Sequence, residues 1–161
     1  MSEFTHDAGR RETVEKYFDM VYRLALSQTK NKDSADDVVQ EVFLRYIKKE
    51  RHFESEEHLK AWFIRVTINC VKSHFTSAWF KKTEGLTEDI VFETEEHGDV
   101  FYATQELPEK YRLVIHLFYY EDMSVEQIAN LLNKNISTVK SQLHRARNML
   151  KEKLERGYDF V

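Results

Sequence analysis

Apolar positions recur three and four residues apart in three successive stretches of the first half of the chain. Val14, Tyr17, Phe18, Val21, Tyr22 and Ala25 form one stripe. Ala35, Val38, Val39, Val42, Phe43, Tyr46 and Ile47 form a second, and Leu59, Trp62, Phe63, Val66 and Cys70 a third. This spacing puts each set on one face of an α-helix. Asp33 or Ser34 is expected to cap the second helix, with Asp36 and Asp37 in its first turn, where the macrodipole favours anions. Ser55 is expected to cap the third. A polar stretch, 48–57, joins helices two and three.

The second half carries a sharper pattern. Pro108 suits the first position of a helix running from Glu109 to about Tyr120. Residues 121–123 break it. Ser124 is placed to cap the next helix, with Gln127 at the capping-box position. That helix carries Val125, Ile128, Ala129, Leu131 and Leu132. Residues 133–135 read as a turn, and Asn133 tolerates the left-handed conformation a tight turn needs. Ile136 follows, then Ser137 as the expected cap of a helix from Thr138 to beyond Leu150. A small residue at 129, a turn residue four later and a β-branched residue six after that are the spacing of a helix-turn-helix. Ala129 lets the two helices approach, and Val139 plugs the angle between them.

Composition narrows the class. Four glycines and one proline in 161 residues are too few to punctuate many strands, so the expected fold is all-α. A single cysteine, Cys70, excludes an intrachain disulfide framework and a Cys-based zinc finger. No apolar run approaches the ~18 residues of a membrane span, so no membrane insertion is expected. The polar start, with Glu3, Asp7 and Arg10, does not read as a signal peptide, and a cytoplasmic protein is expected. No phosphate-binding glycine loop, nucleophile elbow or metalloprotease helix is present, so the chain does not read as an enzyme. Cys70 and His74, four apart, are half a metal site with no second pair, so no metal and no cofactor are expected.

The net charge of -4 hides an uneven distribution. Residues 60–82 carry Lys60, Arg65, Lys72, Lys81 and Lys82 and no acid. Residues 83–99 carry Glu84, Glu88, Asp89, Glu93, Glu95, Glu96 and Asp99 and no Lys or Arg. Residues 134–156 carry seven cations against Glu152 and Glu155. Either basic segment alone reads as a solvated face. Two of them in an acidic protein point to a two-point grip on a polyanion. The organisation expected is a first helical module at 11–80, an acidic flexible linker at 81–99 and a helix-turn-helix module at 100–157. In the last helix, the donors near the N-terminus are Ser137, Thr138, Lys140, Ser141, Gln142, His144 and Arg145. Gln142 is suited to adenine edges and Arg145 to guanine or a phosphate. Lys140 and Arg147 are suited to phosphates, which position a helix without specifying sequence.

These residues resemble a known family. Leu107-Pro108-Glu109-Lys110-Tyr111-Arg112, then 124–132, then Ser137 to Arg147, are similar to the region-four module of sigma-70 family sigma factors. The segment 34–44, with Ala61-Trp62-Phe63 through Asn69 downstream, resembles region two. Two modules and a short linker resemble the extracytoplasmic-function (ECF) type, and the likeness spans about Val14 to Leu154. The resemblance implies an initiation factor of bacterial RNA polymerase. Region two docks on the β′ clamp helices and reads the -10 element, while region four sits on the β flap and reads the -35 element. It assigns Asp36, Asp37, Gln40, Glu41 and Phe43 to polymerase binding, where acids suit a basic coiled coil. It assigns Asn69, Lys72, Ser73 and His74 to the melted -10 strand, and the 48–57 loop to base capture. Trp62 and Phe63 continue the third stripe and are expected in the core. Ser73 and Thr76 stand where the family often has Asp and Arg, and Ser137 and Gln142 where it usually has Gly and Arg. The expected partners are therefore core RNA polymerase, promoter DNA and an anti-sigma factor. The other readings are a stand-alone helix-turn-helix regulator, which leaves the first ninety or so residues unassigned, and an antagonist that mimics a sigma factor.

Overall fold

The computed structural model of the protein describes residues 3–80 and 98–158, which fall into two units, Met1–Asp89 and Ile90–Val161. Of the acidic segment expected as a linker, 81–97 lies outside the described residues. Every regular element among the described residues is helical.

The first unit packs three helices, α1 (Glu3–Thr29), α2 (Lys32–Lys48) and α3 (Glu56–Phe80). A two-residue turn joins α1 to α2. Lys30 takes a left-handed φ of 59° and ends α1, and Asn31 caps α2 by accepting from the Ser34 amide at 2.9 Å. The expected cap, Asp33 or Ser34, is thus corrected to Asn31. Ser34 instead supplies the amide that Asn31 satisfies. Ser55 does cap α3, accepting from the His58 amide at 3.1 Å.

Phe63 organises this core. It is fully buried, with ring centroids of Tyr17, Trp62, Tyr46 and Phe43 between 5.0 and 5.5 Å away. Aromatic pairs at such spacing add to the area they bury. Leu24, Val38, Val42 and Ile64 complete the layer. The buried face of α3 is rotated from the expected stripe, with Ile64, Thr67, Ile68 and Val71 inward. Thr67 is tolerated there because its hydroxyl donates to the Phe63 carbonyl at 2.6 Å. Outside the core, Glu56 ties α3 to α1, accepting from Tyr17 Oη at 2.6 Å and Lys16 Nζ at 3.0 Å. The Tyr17 hydrogen bond, then Lys16, hold its carboxyl below the ordinary range.

The second unit contains α4 (Gly98–Gln105), α5 (Glu109–Ile115), α6 (Val125–Leu132) and α7 (Ile136–Tyr158). Pro108 is the N-cap of α5. The helix expected to run to about Tyr120 changes to a π turn at His116–Tyr120, closed by the Glu121 amide on the His116 carbonyl at 3.2 Å. The same two residues pair through their side chains, His116 Nε2 to Glu121 Oε1 at 3.1 Å, both buried.

Ser124 and Gln127 form the complete capping box at α6. Asn133 takes φ 54° and ψ 50°, and the Lys134 amide donates to the Ala129 carbonyl at 2.9 Å. The chain thereby turns into α7. Val139 is fully buried between the helices, with Ile128, Leu143 and Ala146. The α7 N-terminus differs from expectation. Its first helical hydrogen bond runs from the Val139 amide to the Asn135 carbonyl at 3.1 Å, so the helix begins before Ser137. Ser137 lies in the first turn and is not the cap.

Candidate polymerase and nucleic-acid interfaces

In the first unit, α2 presents its acids outward. Ala35, Val38, Val39, Val42 and Phe43 are buried, which leaves Asp37, Gln40 and Glu41 exposed and Asp36 half-buried on the other side. Glu41 accepts from Arg45 Nε at 3.0 Å, an exposed i,i+4 pair of small energetic value. Phe43 does not belong with this outward set. It is 7% exposed, stacked at 6.0 Å on Phe18 and packed on Phe63, so it holds α2 in place from behind. Leu44 and Ile47 are instead the large apolar side chains α2 exposes.

The outward face of α3 carries Arg65, Asn69, Lys72, Ser73 and Thr76, all exposed and spaced by three and four. No acid interrupts this face. His74 is turned away from it. It is half-buried and shares a 2.9 Å hydrogen bond with Ser34 Oγ, so it fastens α3 to the start of α2. Cys70 is buried, and burial pushes its thiol up. Among the described residues no group of three or more His, Cys, Asp or Glu could hold a metal ion.

The loop before α3 is built on aromatic contacts. The Arg51 guanidinium lies 4.7 Å above the Trp62 ring and donates to the Arg45 carbonyl at 3.0 Å, near the C-terminus of α2. Phe53 meets Trp62 and His58 edge-on at 5.8 and 5.3 Å. The Glu54 amide donates to His58 Nδ1 at 3.2 Å. Phe63 is core as expected, whereas Trp62 is half-buried and forms the wall of this loop.

In the second unit, Ser137, Thr138, Lys140, Ser141, His144 and Arg145 are all exposed on the N-terminal half of α7. The Tyr111 ring is buried, and its hydroxyl interacts with the Arg145 side chain. The Arg145 guanidinium, and the nearby Lys110 ammonium, hold the phenol below its ordinary range. Gln142 differs from the others. It is half-buried, and its side-chain carbonyl oxygen is shielded from water with no hydrogen-bond partner. The reason is its place on the helix: it follows Val139 by three and precedes Ala146 by four, both buried.

Arg147, expected on a phosphate, contacts aromatic side chains of its own unit. Its Nε donates to Tyr119 Oη at 2.7 Å and its guanidinium lies over the Phe118 and Tyr119 rings at 5.2 and 5.6 Å. The π turn brings those rings to the surface. Tyr119, Arg147, Leu150, Lys151, Leu154 and Glu155 line an open, largely apolar groove of about 370 Å³. Nothing in the sequence periodicity signals this groove, because its wall depends on the irregular turn at 116–120. No helix among the described residues is long and apolar enough to cross a membrane.

Comparison with known proteins gives a consistent picture. The family described as Sigma-70 region 2 matches residues 13–81, and that described as Sigma-70, region 4 matches 99–150. The chain is 29% identical over 163 residues to the ECF RNA polymerase sigma factor SigW of Bacillus subtilis, covering 89% of this chain and 87% of the relative. SigM of the same organism, also an ECF RNA polymerase sigma factor, is 30% identical over 165 residues, covering 91% and 95%. Among solved structures, the sigma factor RpoE of Bartonella quintana, in complex with the anti-sigma factor NepR, superposes with a TM-score of 0.77 at 24% identity. It covers 90% of this chain and 96% of that one. CnrH, in complex with the cytosolic domain of CnrY, superposes with a TM-score of 0.65 at 20% identity over 93% and 90%. Both likenesses are of fold.

Proposed function

The chain belongs to the sigma-70 family, among the ECF RNA polymerase sigma factors, and on that premise we propose how its residues divide the work. As a sigma factor it binds core RNA polymerase and directs promoter-specific transcription initiation through its region-two and region-four modules. It contributes recognition to the polymerase rather than chemistry of its own, and acts in the cytoplasm.

We assign Asp36, Asp37, Gln40 and Glu41 to docking on the β′ clamp helices, with Leu44 and Ile47 as apolar neighbours and Phe43 as the internal support. Acids on a rigid helix give such docking its orientation and speed more than its strength. Asn69, Lys72 and Ser73 are the -10 set, with Arg65 and Thr76 on the same face; His74 acts as a fastener. Ser137, Thr138, Lys140, Ser141, His144 and Arg145 are the -35 set, with Gln142 beside them. The Tyr119–Leu154 groove is assigned to the β flap, since an apolar trough rimmed by Arg147 and Lys151 suits an amphipathic protein segment better than a phosphate backbone. An anti-sigma factor as a further partner is supported by the two structural neighbours, whose partner chains are NepR and the cytosolic domain of CnrY.

One observation carries the division: the exposed cations and amides of α3 between Arg65 and Thr76, and those of the N-terminal half of α7, lie on faces without an acid, in separate units, while Asp37 and Glu41 of α2 face outward. Run-off transcription is the test. Core polymerase with this protein initiates at a selected promoter, and core polymerase alone does not. A protein that binds duplex DNA tightly by itself but adds nothing to core enzyme would be a stand-alone regulator, and the assignment would fall.

A further inference from the structure

The unpartnered oxygen of Gln142 is the feature of the recognition helix that folding does not explain. Gln142 lies between the buried plugs Val139 and Ala146. Its Oε1 is out of reach of water and accepts nothing. Buried polar atoms are nearly always paired, and an unpaired one is a reservoir of strain that calls for a reason. The residue sits on the flank of α7 that it shares with Thr138 and Arg145, four before and three after, both exposed. Gln142 therefore stands at the border between the buried and the exposed sides of α7.

We propose that Gln142 is a two-position reader, its amide turned inward in the free protein and swung outward to pair with adenine at one -35 base pair. The chemistry selects the base. The oxygen that lacks a donor needs a base offering one, which in the major groove is adenine N6 or cytosine N4. The amide nitrogen simultaneously needs an acceptor on the same edge, and adenine N7 supplies it. Guanine offers acceptors alone and cytosine a donor alone, so adenine is the base that satisfies both atoms. The inward state is strained, so the gain on meeting the right base is larger than for a side chain already satisfied in water. This inference rests on the placement of α7 in the groove given above.

The test uses full-length protein with core polymerase and a promoter library randomised across the -35 element. Gln142→Met keeps length and helix propensity and removes the amide. The expected result is an unchanged or raised melting temperature of the free protein, with the preference for adenine at one position reduced about tenfold or more. The other -35 positions keep their preferences. A promoter carrying 7-deazaadenine at that position should weaken binding of the wild type but leave the Met variant indifferent. A lower melting temperature with selection intact would make Gln142 structural and overturn the proposal. So would a lost preference for guanine rather than adenine. If Arg145→Ala and Ser141→Ala also leave the -35 selection unmoved, the groove placement itself fails. If they shift it and Gln142→Met does not, only the two-position reader is lost.

Discussion

Val139→Ala is expected to unfold the second unit selectively. Val139 is fully buried at the crossing of α6 and α7, against Ile128, Leu143 and Ala146, all at most 2% exposed. The substitution removes two methyl groups, worth about 1.6 kcal/mol at ~0.8 each. The cavity left between two capped helices adds to this, because Ser124 and Asn133 fix their geometry and limit collapse, for a total of about 2–3 kcal/mol. A small unit holds roughly 0.05–0.15 kcal/mol per residue, so the loss is a large share of its stability. At about 4–8 °C per kcal/mol, its midpoint should fall by roughly 10–20 °C. The assay separates the units without labels, since both tryptophans, Trp62 and Trp79, belong to the first. Thermal unfolding followed by circular dichroism should show an early helical loss, while tryptophan emission keeps its wild-type midpoint. An unmoved circular dichroism trace, or a shift carried by tryptophan emission instead, would refute the assignment of Val139 as the plug of the second unit's core.

Asp37→Arg combined with Gln40→Ala should weaken capture by core polymerase about tenfold or more while helical content stays constant, because both side chains are exposed and a like charge opposite a basic partner is repulsive; undiminished pull-down would remove them from the interface. Asn69→Ala should reduce open-complex formation more than closed-complex formation, read by permanganate reactivity of unpaired thymines; equal footprints would make Asn69 a surface residue only. Glu56 gives a pH dependence with a definite sign. Its folded carboxyl lies below the ordinary range, so its ties to Tyr17 and Lys16 stabilise the first unit above that range and are lost as pH falls through the depressed value. The tryptophan-reported midpoint should therefore drop on acidification more in wild type than in Glu56→Gln, and parallel curves would show the tie to be inert.

The helix-turn-helix was legible because each of its signals is local. Ser124 with Gln127 closes a box within four residues, Asn133 takes the backbone region its side chain tolerates, and Val139 lies at a fixed offset. Signals that depend on competition between neighbours were not. Asn135 and Ser137 are both competent caps, and nothing local to the sequence says that α7 begins at the earlier one. The π turn at 116–120 has no periodic signature, because a single i→i+5 turn shifts the register without altering residue types. Eight residues of α4 are too few to repeat a stripe. Phe43 has the apolar spacing of a core residue, yet its adjacency to the α2 acids places it with them in the expected polymerase-binding set, and the structure buries it. Gln142 was read from residue type alone, whereas its position beside two plugs decides where its oxygen points.

The placement of Arg147 divides α7 into two working halves. Counted by charge, the helix offers cations to DNA along most of its length. Counted by position and contacts, Lys140 and Arg145 are exposed in the N-terminal half, whereas Arg147 is held by Tyr119 Oη and two aromatic rings at the edge of the apolar trough. That engagement turns the guanidinium toward the rings, and displacing it would forfeit a 2.7 Å hydrogen bond and its stacking. Arg147→Ala should therefore leave the salt dependence of promoter binding by the assembled polymerase unchanged, whereas Lys140→Ala lowers its slope by about one. The same Arg147→Ala, and Tyr119→Phe more mildly, should loosen the second unit's hold on the β flap, measured as binding to a polymerase whose flap is intact against one whose flap is deleted. A salt slope reduced by about one unit in Arg147→Ala would return this residue to the phosphate backbone and undo the separation of the two halves.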